Sequence, residues 1–470
     1  MSLSSAINTA QQIFSNTAQQ TSVLSKNMSN ANNADYNRRS AILSTSANGA
    51  EVVTIQRAQS DALLKQKLAS SASSSGQDAL MNGLDEIRMA LGGNEYSTAP
   101  ATYLNKFRDS LQTLASTPSS RTTAANTVSA ATDLANSLNT VSDTVQKMRA
   151  NADADISTAV NKLNSLLTDF DKANRDVQSA TATHSDPNDA LDQRDKLLGQ
   201  ISEIVGISTV TRGNNDMVLY TSDGTVLYEN SPRQVTFQAS SGYDAHVTGN
   251  AIYVDGIAMK PGAGADTSAQ GSLPALLQLR DQVLPKLQSQ LDEIARGLVN
   301  TFKEGTAQGL FTATPLTSGT TVGFANSIKV NSAAVSNPFL LRDGGFSGSA
   351  ANQNPSNNSG FSTLVDSFVT ALGAKVTFDP ATDLTSQTSL LSYATESVGW
   401  VESLRSTAST ANDNKSALLT RTQETLSNLT GVNMNEELSL MLDLEQSYKA
   451  SAKLLTTVDE MIKSLLDAVR

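Results

Sequence analysis

Cysteine is absent from all 470 residues. That removes disulfides, thiolate metal ligands and a cysteine nucleophile at once, and leaves an exported chain no thiol to cross-link wrongly. Histidine is nearly absent: His184 and His246 are the only two, and they fall in different predicted segments. Trp400 is the one tryptophan, and aromatic residues make up 5% of the chain, little for one bulky enzyme core. Basic residues are outnumbered 34 to 45, for a net charge of −11. A nucleic-acid partner is therefore not expected, because phosphate neutralisation needs clustered Lys and Arg. No stretch approaches 18 uninterrupted apolar residues and no basic amphipathic helix stands out, so membrane insertion is not expected either. The opening MSLSSAINTAQQIF has no basic region followed by an apolar run, which predicts secretion, if any, without a cleaved signal peptide.

The chemistry that remains is equally thin. HSDPND (184–189) offers a histidine and carboxylates, but at a helix start, where Asp and Asn normally cap. Asp153 and Asp155 are two residues apart on a predicted helix and so point to different faces, which reads as solvated surface. There is no G-x-x-x-x-G-K-[ST] and no G-x-S-x-G. Trp400 reads as a half-buried core aromatic. We expect no enzyme, and assign no catalytic, cofactor-binding or metal-binding residue and no cofactor.

What the sequence has in quantity is helical patterning. Stepping four and three residues from Leu3 gives Leu3, Ile7, Ala10, Phe14, Thr17, Thr21, Leu24 and Met28, a heptad seam with two soft positions. The same step from Met434 passes Glu437, Met441, Leu444, Tyr448, Ser451, Leu455, Val458, Ile462, Leu465 and Val469. Only Glu437 and Ser451 break that stripe. Gly431 precedes it, and Asn433 with Glu436 forms a capping pattern. Further helical periods run over roughly 56–91, 100–115, 121–182, 188–204, 274–304 and 386–428. Between 206 and 270 the period changes to two, with hairpins predicted around Asp223-Gly224 and Asp255-Gly256. Residues 305–385 are rich in Gly, Ser and Asn, with short strand signals in SIKVN and KVTF, and 344–360 reads as an exposed loop.

The fold class expected is mainly α with an inserted β-rich domain, the N- and C-terminal helices paired as an α-helical coiled coil. The segments are an N-terminal axial helix and linker (1–55), a helical domain in three parts (56–205, 273–304 and 386–430), a β-rich hairpin segment (206–272), a loop- and β-rich segment (305–385) and a C-terminal axial helix (431–470). Because the two seams lie at the extremes of the chain, we expect their apolar residues to face other copies as well as each other.

Three segments carry a resemblance. MSNANNADYNRRSA (28–41) resembles the N-terminal motif of flagellar rod, hook and hook-associated proteins through Asn30, Ala31, Asn32, Tyr36 and Arg38. NDALDQRDKLLGQISEIVGISTV (188–210), with Asp192, Gln193, Arg194 and Asp195, is similar to a helix of the hook-associated proteins at the hook–filament junction. GSLPALLQLRDQVLPKLQSQLDEIARGLVNTF (271–302) and the C-terminal heptads resemble that family too. The resemblance implies a structural component of the bacterial flagellum, extracellular, exported by the flagellar type III apparatus, with terminal helices inside a tube, a helical middle domain and an outer β-rich domain. Its implied partners are other copies of itself, the hook protein, the second hook–filament junction protein and an export chaperone. Subunit assembly would use Leu3, Ile7, Ala10, Phe14, Leu24, Met28, Leu444, Tyr448, Leu455, Val458, Ile462, Leu465 and Val469. The chaperone would hold Leu455, Val458, Ile462, Leu465 and Val469. Within the same class, flagellin and the second junction protein are the alternatives; outside it, a secreted adhesin or a wall hydrolase.

Overall fold

The computed structural model describes residues 3–46, 49–305, 307, 309–315, 320–348 and 352–468. Its helices are α1 (Leu3–Ser29), α2 (Asp61–Ala90), α3 (Pro100–Ser116), α4 (Arg121–Ala182), α5 (Asn188–Ile204), α6 (Ser272–Gln278), α7 (Leu284–Thr301), α8 (Phe324–Ser327), α9 (Ser332–Ser336), α10 (Leu340–Asp343), α11 (Thr363–Gly373), α12 (Leu390–Thr430) and α13 (Met434–Ala468). A π-helical turn, Leu279–Val283, joins α6 to α7. Among the described residues the strands form five antiparallel sheets, and all but the first two strands are short. They are β1 (Arg39–Ser46) with β2 (Gly49–Arg57); β3 (Ile207–Thr211), β4 (Met217–Thr221) and β5 (Val226–Tyr228); β6 (Val235–Thr236), β7 (Tyr253–Val254) and β8 (Ile257–Ala258); β9 (Phe311–Thr312) with β10 (Lys329–Val330); and β11 (Lys375–Thr377) with β12 (Gln387–Ser389). The fold is mainly helical with small sheets. Among the described residues, no helix is long and apolar enough to cross a membrane.

The chain divides into two compact units. The first comprises residues 1–72, 163–234 and 416–470, the second 73–162 and 235–415. The second holds a large apolar core drawn from α2, α3, α4, α7 and α12. Phe302 sits at its centre, with ring centroids 5.4 Å from Phe107, 5.4 Å from Phe311 and 4.8 Å from Phe368. Phe311 and Phe368 belong to 305–385, so this Gly- and Asn-rich segment is anchored by its sparse aromatic residues. Within 344–360, read as an exposed loop, Phe346 and Asn354 are buried. Asn354 explains the order there: its amide donates to Asp343 Oδ1 (2.7 Å) and Asn358 O (2.9 Å). The solvated reading of Asp153 is also corrected. Asp155 is exposed, but Asp153 is buried and pairs with the buried Arg280 at 2.6 Å, while Ser240 N and Tyr243 Oη donate to its carboxylate.

In the first unit α1 and α13 lie side by side. Phe14 meets Tyr448 edge to face at 4.9 Å between centroids, and Asn27 meets Glu437 at 3.0 Å. One index rises as the other falls, so the helices run antiparallel. The stretch read as a linker contains a long hairpin, β1–β2, with a bulge at Ile42/Leu43. Helix α1 packs on it, and Asn16 accepts from Val52 N (3.1 Å) and donates to Ala50 O.

Candidate functional site

The sites that the sequence singled out in the described part of the first unit fall into two arrangements. One is the helix pair. On α1, Ala10 and Leu24 are buried, and Ile7, Phe14 and Met28 are half-buried. On α13, Val458 is buried, Leu444, Leu455 and Ile462 are half-buried, and Tyr448 and Leu465 are exposed. The side chain of Leu3 and the whole of Val469 lie outside the described residues. The two polar interruptions of the α13 stripe, Glu437 and Ser451, are buried, whereas Leu442, Leu454, Met461, Leu465 and Leu466 are exposed. Of these, Leu454, Met461 and Leu465 share one exposed side of α13, next to the buried stripe of Ser451 and Val458.

The second arrangement is a polar junction where the end of α1, the loop after it, the base of β1–β2, α5 and the start of α13 converge. Helix α5 begins where Asp186 Oδ1 accepts from Asn188 N (2.9 Å), as its capping pattern predicts. Its acidic residues recur at three-residue spacing, so Asp189, Asp192 and Asp195 share one side of the helix. Arg39 donates to Asp189 (2.5 Å) and Asp192 (3.0 Å); Arg57 donates to Asp192 (2.9 Å) and pairs with Asp195 (2.8 Å). Arg39 and Arg57 are Cα partners across the hairpin, which places the two guanidinium groups side by side. Asn37 also donates to Asp192 (3.0 Å), and Asn188 to Ile55 O (2.9 Å).

Burial sets the electrostatics. It pushes the Asp195 carboxyl up, against the pull of Arg57 and Arg194. It lowers Arg194, whose guanidinium donates to Asn174 Oδ1 (3.1 Å) and Asn215 O (2.6 Å). Burial works against the charge of Arg39, but Asp189 and Asp192 outweigh it and hold the guanidinium above its usual range. The Tyr36 hydroxyl is pushed up to about 12, chiefly by burial, and donates to Asn27 Oδ1 at 2.9 Å.

Of the motif residues, Tyr36, Arg38, Asp192 and Asp195 enter this network directly, whereas Arg194 bonds Asn174 and the Asn215 carbonyl beside it. Arg38 pairs with Glu437 at 2.6 Å and its N–H donates to Thr430 O at 2.7 Å. Asn30 bonds back to Lys26 O (2.9 Å), closing the helix end; Ala31 is half-buried, and Asn32 and Gln193 are exposed. Sequence reasoning missed Asn27, Arg39, Arg57, Asp189 and Glu437. A signal existed for one of them: Glu437 is the charge that interrupts an otherwise apolar stripe. The junction's charged groups are held in ion pairs and amide hydrogen bonds, although Nε of Arg39 and Nε of Arg57 are buried without a hydrogen-bond partner, so its chemistry is that of a fastener between elements.

Comparison with known proteins gives two family matches. Residues 85–317 match the flagellar hook-associated protein FlgK helical domain, and residues 426–468 match the flagellar basal body rod FlgEFG protein C-terminal family. Flagellar hook-associated protein 1 of Escherichia coli (strain K12) is 24% identical over 313 residues, 64% of this chain and 56% of that protein. The protein of the same name from Bacillus subtilis (strain 168) is 22% identical over 397 residues, 78% of this chain and 75% of its own. The chain thus spans just over half the length of the enterobacterial relative. The solved flagellar hook junction protein FlgK from Burkholderia pseudomallei aligns with TM-score 0.43 and 20% identity, over 53% of this chain and 47% of that one.

Proposed function

We propose that the chain is one of the flagellar hook-associated proteins, a non-enzymatic structural subunit joining hook to filament. The observation that carries this reading is the match of residues 85–317 to the FlgK helical domain, with a rod-and-hook type C-terminus at 426–468. In this reading α1 and α13 form an antiparallel coiled coil, and the remaining apolar face of α13 is covered by neighbouring copies. Leu454, Met461 and Leu465, between 43% and 61% exposed, supply that face. Burying apolar side chains of this size stabilises an interface by about 1.5–3 kcal/mol each when burial is complete. Hook protein lies on one side of the layer and the second junction protein on the other. The 206–272 and 305–385 segments belong to the outer part. An export chaperone holds Leu455, Val458, Ile462, Leu465 and Val469 before secretion through the type III apparatus, and the assembled protein is extracellular.

Deleting the gene and labelling the native chain test this together. The expected result is a null strain that keeps its hooks and sheds filament subunits into the medium, with antibody against this chain binding at the hook–filament joint. Label along the whole filament, or along the hook, would overturn the junction assignment in favour of flagellin or a hook-type subunit.

A further inference from the structure

We propose that Asn27 and Glu437 are a register key, which fixes one antiparallel alignment of α1 with α13. The inference goes beyond the assembly reading and stands on contacts within one chain.

An apolar heptad stripe is poor at fixing its own alignment. Sliding α13 by seven residues brings Leu444 to the place of Glu437 and keeps apolar residues facing apolar residues over most of the seam. The polar residues break that degeneracy. Asn27 is 1% exposed and Glu437 is 0% exposed. Asn27 uses every hydrogen-bonding valence of its amide: Nδ2 donates to Arg39 O (2.9 Å) and Glu437 Oε2 (3.0 Å), and Oδ1 accepts from Tyr36 Oη (2.9 Å) and Arg39 N (3.1 Å). Glu437 Oε1 takes the Arg38 guanidinium at 2.6 Å. The key is therefore held from three directions: by the end of α1, by the loop through Tyr36 and Arg38, and, through Arg39, by Asp192 of α5 at 3.0 Å. In any slipped alignment Leu444 or Thr430 would meet the Asn27 amide, leaving a buried donor and the Arg38 charge without a carboxylate. A single buried polar pair of this kind specifies alignment at the expense of seam stability. Arg38 comes from the loop directly after α1 of its own chain.

The lack of cysteine makes the test direct, since two introduced thiols would be the only ones. In the full chain, Phe14→Cys with Tyr448→Cys reports the native alignment, and Phe14→Cys with Leu455→Cys reports a slip of one heptad. On mild oxidation we expect the first pair to close within one chain and the second to close at least about tenfold less. Adding Glu437→Leu should make the two yields comparable. Asn27→Leu should act in the same direction. Glu437→Gln, whose side-chain carbonyl oxygen can still accept from Asn27 Nδ2, should keep the native pattern. Unchanged alignment in both Glu437→Leu and Asn27→Leu would overturn the key. So would loss of cross-linking at both positions in Glu437→Gln as well, because the damage would then be to folding. Cross-linking is read on purified protein, so a failure of the junction assignment in cells would leave its outcome untouched.

Discussion

Single residues at the polar junction differ in consequence by their burial rather than by their bond lengths. Arg39 holds Asp189 at 2.5 Å and Asp192 at 3.0 Å, yet the Asp189 side chain is 82% exposed and that of Asp192 only 11%. An exposed pair is screened by water and contributes about 0–1 kcal/mol. Removing a buried partner strands its counter-charges at a cost of about 3–5 kcal/mol. Asp192→Ala, which removes the buried carboxylate shared by Arg39 and Arg57 and leaves each with one remaining partner, should therefore lower stability to urea by more than Asp189→Ala, and comparison of the two midpoints checks it.

Asp292 in the second unit gives a pH dependence at the same scale. Its carboxylate accepts from Gly323 N (3.0 Å), Ala325 N (2.8 Å) and Gln288 Nε2 (3.1 Å). Burial nonetheless outweighs those donors and raises the group from 3.8 to about 6. Between those values the folded state keeps a proton that the unfolded state has lost. Stability from this group is therefore full below about pH 4, falls as pH rises to about 6, and is lower by roughly 2–3 kcal/mol above that. Urea midpoints of the parent and of Asp292→Asn at pH 4, 5, 6 and 7 should differ in slope across this window; parallel profiles would remove the effect.

At the scale of elements, what was legible in the sequence follows from how local its cause is. Helices α3, α4 and α5 lie within a residue of their predicted bounds, because apolar spacing and a cap or break at each end are read within one turn. The hairpins at Asp223-Gly224 and Asp255-Gly256 were visible for the same reason. Hairpin β1–β2 was not, although Asn48-Gly49 precedes the β-branched run Val52, Val53, Thr54 and Ile55; the motif beside it drew the segment into a linker reading. The polar junction joins residues up to 410 positions apart, as Asn27 to Glu437, and no local pattern encodes such a meeting. The α12–α13 link supplies this scale's prediction. A Cβ on Gly431 would lie 2.5 Å from Ser427 O, so Gly431→Ala must shift the backbone at the point where Glu437 is aimed at Arg38. We expect a loss of about 1–3 kcal/mol, larger than for alanine at the neighbouring Val432, measured by thermal unfolding.

At the scale of the whole molecule, the question is which apolar surface serves the chain itself and which serves other copies. Val458 and Leu465 belong to one stripe, seven residues apart, yet Val458 is 7% exposed and Leu465 61%. A charge at Val458 would be buried in the chain's own helix pair, whereas one at Leu465 would stay in water until a second copy approached. Val458→Asp should therefore lower the unfolding temperature of the purified protein and also block its incorporation into flagella. Leu465→Asp, alone or with Leu466→Asp, should leave unfolding within about 0.5 kcal/mol of the parent and still reduce the number of cells that retain filaments. Secretion of each variant into the medium is measured alongside, to separate failed export from failed assembly. If Leu465→Asp assembles normally, the exposed face of α13 is not the contact between copies, and the helix pair serves only its own chain.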